Sequence, residues 1–437
     1  MTTFWCERAW LADGPAERVR VTADDGVVTA IDVAVDAQPN DIRLDGIVLP
    51  GFANAHSHAF HRALRGRTHG GGGTFWTWRE RMYAVAARLD PDSYRRLATA
   101  VYAEMALAGV ACVGEFHYLH HAPGGDRYDD PNATGEALRE AARAAGIRLT
   151  LLDTCYLTGG IGEPLDETQI RFGDGDAARW AERVAALVPD ANFRIGAAIH
   201  SVRAVPADQI PTVVSAAGSR PLHVHLSEQL AENQQCVRAY GMTPTQLLSD
   251  RGALSPTTTA VHATHLTQRD VELLGTARTT ACFCPTTERD LADGIGPARA
   301  LRDAGSPIAL GSDQHAVIDL IEEARALEMH ERLASRERGR FSPVELVAAL
   351  TEAGHAALGW PEAGRIAIGS LCDLAAVRLD SPRTAGIDPA QVVLAATAAD
   401  VHTVVVGGRT VVSEGRHLLG DVGALLSSAI TDLVAPG

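Results

Sequence analysis

The chain has 437 residues, 46% of them hydrophobic, with 54 acidic residues against 39 basic ones and a formal net charge of −15. That length buries a large core, and that charge argues against nucleic acid or an anionic membrane surface as a partner. No apolar run approaches the roughly 18–20 residues that span a bilayer, and no basic-then-apolar leader opens the chain.

Residues 1 to about 48 read as short strands, at 18–21 and 27–33, with Asp24-Asp25-Gly26 as the hairpin turn between alternating segments. From there strand and helix alternate, as a parallel barrel requires. Strands are expected at 47–53, 111–117, 149–155, 194–200, 222–226, 259–263, 280–284 and 308–311. Helices are expected between them at 93–107, 134–145, 176–187, 207–217 and 243–251. Eight strands suffice to close a (β/α)8 TIM-like barrel. Gly70-Gly71-Gly72-Gly73 reads as a loop, either a plain connection or a lid beside the first strand. After about residue 365 strands return at 365–368, 373–377 and 403–412. The expected organisation is an α/β chain: a barrel over 49–365, and a small β-sandwich built from both ends, 1–48 and 366–437.

Four expected strands end in groups that carry chemistry. Asn54-Ala55-His56-Ser57-His58 closes the first, and histidines at i and i+2 share one face of a strand, where both rings reach one cation. His223-Val224-His225-Leu226-Ser227-Glu228, Val261-His262-Ala263-Thr264-His265 and Leu310-Gly311-Ser312-Asp313 close three others. Each alone could be a surface polar residue. Together they suggest one metal site at the C-terminal rim of the barrel. All 39 Lys+Arg residues are arginine, which excludes Schiff-base lysine chemistry and a metal-bridging lysine carbamate, and leaves a mononuclear centre. Seven scattered cysteines without a Cys-x-x-Cys fit reduced thiols in a cytoplasm.

With these motifs the chain resembles the amidohydrolase superfamily over nearly its whole length. Within it the chain is most similar to enzymes that hydrolyse N-formimino-L-glutamate to N-formyl-L-glutamate and ammonia in histidine degradation. The more specific segments are Phe75-Trp76-Thr77-Trp78-Arg79-Glu80, Glu115-Phe116-His117-Tyr118-Leu119-His120-His121, His200-Ser201-Val202-Arg203 and Cys284-Pro285-Thr286-Thr287-Glu288. Two positions depart from the pattern: His61 stands where glutamine is common, and Gln314 where serine is frequent.

The resemblance implies that His56, His58, His225 and Asp313 hold one divalent ion, Zn²⁺ first among candidates. Asp313 also takes a proton from the attacking water, and Glu228, one helical-turn spacing beyond His225, moves a proton to the departing nitrogen. His262 polarises the reacting centre, with a fourth histidine ligand as the alternative. The substrate is a small amino-acid-derived anion with two carboxylates, which guanidinium forks suit. Arg79 and Arg203 are the candidates, each with a surface salt bridge as the alternative, and Tyr118, His200 and His61 are added contacts. A homodimer is expected. The alternative function is deamination of a heterocycle such as guanine; a metal-free scaffold is disfavoured because every ligand is present.

Overall fold

The computed structural model describes residues 1–69 and 75–434, the side chains of residues 75 and 76 excepted. The expected glycine loop at 70–73 lies outside the described residues. The N-terminal strands are β1 (Thr2–Leu11), β2 (Gly14–Asp24), β3 (Val27–Asp32) and β4 (Ile42–Pro50). Then come β5 (Phe52–Ser57), β6 (Val110–His117), β7 (Arg148–Cys155), β8 (Phe193–Ile199), β9 (Leu222–Leu226), β10 (Thr258–His262), β11 (Thr280–Phe283) and β12 (Ile308–Leu310). The chain finishes with β13 (Leu374–Val377), β14 (Val401–Val406), β15 (Arg409–Ser413), β16 (Arg416–His417) and a helix at Val422–Val434.

Strands β5 to β12 pair in parallel in sequence order, with helices between them, as an eight-stranded (β/α)8 barrel. The seam closes between β12 and β5, where Ser312 and Asp313 donate backbone N–H groups to His56 O at 3.1 and 3.0 Å. His58 N donates in turn to Asp313 O at 3.1 Å. Gly311 makes this closure possible, because a Cβ there would stand 2.7 Å from His56 Cβ. The barrel strands read as continuous buried runs (β6 and β7 are buried at every position), which fits a parallel sheet covered on both faces.

The five expected helices are present, at Pro91–Leu107, Ala133–Ala145, Ala177–Ala185, Ile210–Ala217 and Pro244–Asp250. Two of them start on capping boxes with proline in the first turn, Asp90 with Ser93 and Thr243 with Gln246.

Three expectations are corrected. The strand expected at 403–412 is the hairpin of β14 and β15, turning at Gly407-Gly408. The strand expected at 47–53 is two strands: β4 ends at Pro50 in the end sheet, and β5 starts at Phe52 in the barrel. The chain changes sheets at Gly51, whose N–H donates to Asp373 O at 2.8 Å while a Cβ would meet Ala111 Cβ at 2.7 Å. The strand expected at 365–368 is a run of bends and turns. Of its two isoleucines Ile366 is buried in the core of the end sheet and Ile368 is exposed, so the alternation there does not mark a half-buried strand.

Both chain ends meet in one eight-stranded sheet, ordered β16-β15-β14-β13-β4-β1-β2-β3, with the expected hairpin pairing Asp24 with Val27. The sheet curls round its own core: Val28 of β3 and Val405 of β14 share one cluster with Phe4, Val21, Leu44 and Val48. A buried ion pair between Arg148 at the start of β7 and Asp373 before β13 ties this sheet to the barrel.

Candidate active site

His56 on β5 and His58 just after it project to one face at the seam, beside Asp313 beyond β12. Asp313 Oδ1 stands 3.3 Å from His56 Nε2 and 3.4 Å from His58 Nε2. From β9, His225 brings its Nε2 to 3.1 Å from His56 Nε2. His262 at the end of β10 places Nε2 3.8 Å from Asp313 Oδ2 and 3.9 Å from Glu228 Oε1. The donor atoms of His56, His225, His262 and Asp313 all lie within 4.8 Å of one another.

The backbone is bent for this purpose. Ser227, His262, Ala263, Asp313 and His315 all have positive φ, between 42° and 68°, just where β9, β10 and β12 end. Non-glycine residues in that region are uncommon and concentrate at functional sites. Glu228 therefore faces the site through a left-handed turn at Ser227; it lies in a loop, not on the helical turn its spacing suggested.

The donor set suits a divalent cation. His58 Nδ1 donates to Phe116 O and His225 Nδ1 to His200 O, each at 2.9 Å, since a carbonyl can only accept. Burial holds both rings neutral, well below the usual histidine range, with neighbouring histidines adding to the effect. A neutral ring protonated at Nδ1 presents a lone pair at Nε2, and both Nε2 atoms point at the Asp313 cluster. Burial opposes ionisation of Asp313, but its hydrogen bond to His56 and the charges of His56, His262 and His61 hold it below the carboxylate range.

Around the cluster the proton-carrying groups are set apart electrostatically. Burial pushes the Glu228 carboxyl up to about 7, against the pull of His262. Burial alone would discharge His262, yet Glu228, Glu288 and Asp313 outweigh it and hold the imidazolium. Glu288 Oε1 lies 3.3 Å from His262 Nδ1 and accepts the Cys284 N–H at 2.8 Å.

A cleft of about 570 Å³, counting its open mouth, leads to these groups. His58, His225, His262, Asp313 and Glu228 form its floor, and Arg79, Arg203, Tyr118, His200 and His61 stand in its walls. Every residue anticipated from the sequence thus lines the cleft except His56, which is fully buried behind it. A larger groove beside Arg8, Asp45 and Arg378 holds none of these groups.

The surface salt-bridge alternative fails for Arg203: only 12% of its side chain is exposed, and its Nε donates to Glu232 Oε2 at 2.9 Å. Glu232 is itself buried and anchored by the Ser227 N–H at 2.9 Å. Arg79 lies over the Tyr83 ring, 5.4 Å from its centroid. His61 Nε2 meets the Tyr118 hydroxyl at 3.2 Å, and its ring lies edge-on to Trp78. Gln314 turns away to Asp290 at 2.8 Å.

Sequence reasoning gave no role to Glu288 or Glu232, nor to the cleft aromatics Tyr83 and Tyr156. Glu288 was visible in the Cys284–Glu288 motif; nothing local marks Glu232, which depends on where the helix Leu230–Tyr240 docks. His117, His120 and His121 belong to a separate buried network with Asp153, Asp174 and Arg183, where Arg183 bonds both carboxylates at 2.8–3.1 Å.

The amidohydrolase family profile matches residues 47–411. A formimidoylglutamate deiminase of Pseudomonas aeruginosa is 37% identical over 436 residues, covering 95% of this chain and 96% of that protein. An 8-oxoguanine deaminase of the same organism is 29% identical over 90% of this chain and 88% of its own length. Among solved structures, an amidohydrolase from Brucella melitensis superposes over all of both chains with a TM-score of 0.92 at 31% identity. The zinc complex of an atrazine chlorohydrolase from Arthrobacter aurescens TC1, 23% identical, shares the fold with a TM-score of 0.87 over 99% of this chain and 100% of that one. A profile match across most of the chain, a relative of matching length and a barrel with His and Asp converging at its rim have one conclusion: the chain belongs to the amidohydrolase family.

Proposed function

We propose that the chain hydrolyses N-formimino-L-glutamate to N-formyl-L-glutamate and ammonia, a step of histidine degradation. The observation that carries the substrate is the pair Arg79 and Arg203 in one cleft with Asp313 and His225. Two guanidinium groups suit the two carboxylates of a glutamyl substrate. Only Nε of Arg203 is committed to Glu232; among the described residues its terminal nitrogens carry no hydrogen bond.

His56, His58, His225 and Asp313 hold one divalent ion in this reading, with Zn²⁺ favoured by the histidine-rich set over Fe²⁺ or Mn²⁺. When bound, the ion supplies Lewis-acid activation of water at neutral pH. Asp313, kept ionised by its histidine neighbours, accepts a proton from the attacking water. A C–O bond forms at the formimino carbon, the bond to the imino nitrogen breaks, and Glu228 carries the proton that makes ammonia the leaving group. His262, charged and steadied by Glu288, directs Nε2 at the reacting centre. Tyr118, His200 and His61 orient the remaining polar groups.

A second reading, deamination of a heterocycle such as guanine, draws on the aromatic walls Trp78, Tyr83, Tyr118 and Tyr156, which suit a planar ring. Ammonia release from N-formimino-L-glutamate, guanine and 8-oxoguanine separates the two. The proposal expects turnover of the first alone; turnover of a purine alone, or formamide as product, overturns it.

The same reading includes a cytoplasmic homodimer with neither nucleic acid nor membrane as partner, divided into a barrel over 49–365 and an end module of 1–48 and 366–437. Its seven cysteines are all free and buried. Among the described residues no helix is long and apolar enough to cross a membrane.

A further inference from the structure

Ser57 stands between His56 and His58 on β5, so its side chain leaves the opposite face of the strand. There it joins a chain of hydrogen bonds through five side chains, all fully buried: Asn54, Ser312, His315, Ser57 and Glu115. Asn54 Nδ2 donates to Ser312 Oγ at 2.7 Å, and Ser312 N returns a bond to Asn54 Oδ1 at 2.9 Å. Ser312 Oγ lies 2.8 Å from His315 Nδ1, and His315 Nε2 lies 3.2 Å from Ser57 Oγ. Ser57 Oγ donates to Glu115 Oε2 at 2.8 Å, while Glu115 Oε1 accepts the Ala59 N–H at 2.6 Å.

Burial pushes the Glu115 carboxyl up to about 8, while the hydrogen bonds from Ala59 N–H, Ser57 and the two tyrosines Tyr102 and Tyr94 favour its ionised form. In that form it sets the direction of every bond. Glu115 accepts, so Ser57 spends its only proton there and must accept from His315 Nε2–H. His315 Nδ1 is then the acceptor that takes the Ser312 proton, and Ser312 Oγ is left to accept from Asn54. No buried donor faces another donor. The chain crosses the barrel seam: Asn54 and Ser57 belong to β5, Glu115 to β6, and Ser312 and His315 flank Asp313 beyond β12. Two inner members of the chain therefore adjoin residues of the cluster, Ser57 beside both histidines and Ser312 beside Asp313.

We propose that Glu115, acting through Ser57 and His315, is a positioning group that fixes the His56–His58 segment against Asp313 and so sets the affinity and geometry of the metal. This rests on the metal reading above. Glu115→Gln would put an amide donor where an acceptor is required, reversing the Ser57 proton and forcing His315 into its other tautomer. Ser312 Oγ would then accept from both His315 and Asn54, its own proton would lose its acceptor in the chain, and the seam would have to shift. Ser57→Ala breaks the same chain by removing a single oxygen.

The test uses the full-length chain, stripped of metal and reloaded, as parent, Ser57→Ala, Glu115→Gln and a control, Thr150→Val. Thr150 is equally buried in the same barrel and bonds Leu358 O at 2.8 Å and Trp360 Nε1 at 2.9 Å, away from the cluster. Zn²⁺ affinity is read by chelator competition and ligand geometry by the absorption bands of the Co²⁺ form. Ser57→Ala and Glu115→Gln should weaken Zn²⁺ by about 10–100-fold and move the Co²⁺ bands, as loss of groups that orient metal ligands does. Thr150→Val should lower the thermal midpoint and leave both readouts alone. Should Glu115→Gln fail to fold, Ser57→Ala decides by itself. Parent-like affinity and spectra in the folded variants overturn the inference, as does an equal loss in Thr150→Val. A parent chain that takes up no metal overturns the metal reading and this inference together; a loaded parent with unaffected variants overturns this inference alone.

Discussion

The Nε2 atoms of His56 and His225 face each other at 3.1 Å, reaching from β5 and β9 into the mouth of the barrel. His225 has already given its Nδ1 proton to His200 O, so its Nε2 offers a lone pair. A cation shared between the two rings, with Asp313 Oδ1 3.3 Å from His56, satisfies all three groups at once.

One tightly held divalent ion per chain is therefore expected by elemental analysis, because the chain has no lysine to carry a bridging carbamate. Chelation should lower the thermal midpoint, since an ion that binds only the folded state adds about 4 kcal/mol at 1,000 times its dissociation constant. Two ions per chain at full activity would contradict the mononuclear assignment.

Glu228→Gln should keep the metal and lose most of its turnover. Glu228 stands 3.9 Å from His262 Nε2, and its carboxyl is pushed by burial to about 7, which suits proton transfer at neutral pH. The expected loss is about 10²–10⁴-fold in kcat. A metal-free Glu228→Gln protein would place Glu228 among the ligands instead.

Arg203→Ala tests the glutamate end of the substrate. Truncating one partner of a buried charge pair costs about 2–5 kcal/mol, which is roughly 30- to several-thousand-fold in kcat/KM. Because Arg203 also neutralises the buried Glu232, the comparison that decides is a small neutral formamidine. Its turnover should change little in Arg203→Ala; equal losses on both substrates would make Arg203 a partner of Glu232 and nothing more.

Stability should fall on the acid side of neutrality. Burial, with Arg183 adding to it, lowers the His120 ring to about 4, although Asp153 pulls the other way. The unfolded chain then binds the extra proton first, so the contribution is complete above about pH 6.5 and is lost as pH falls through about 4. It amounts to about 3 kcal/mol. Urea unfolding at a series of pH values should show a shallower slope in His120→Gln than in the parent, and superimposable slopes would refute the assignment.

Seven of the eight barrel strands were legible to within one residue, because a parallel strand covered on both faces writes its burial into a continuous apolar run. The metal cluster was legible for a related reason: strands ending in His-x-His, His, His and Asp come together wherever such a barrel closes. The first strand was misread because hydrophobicity does not register a change of sheet; Gly51 marks it through close packing against Ala111 and Asp373, residues far away in the chain.

Residue types and their order along the chain thus determined the barrel, its rim and the identity of the groups gathered there. Tertiary structure alone decided which groups hold them: Glu288 on His262, Glu232 on Arg203, and Glu115 on Ser57. Strand periodicity is local and survives in any short window of sequence. A hydrogen bond between side chains 26, 29 or 58 residues apart exists only after the strands have closed in register and the helices have docked.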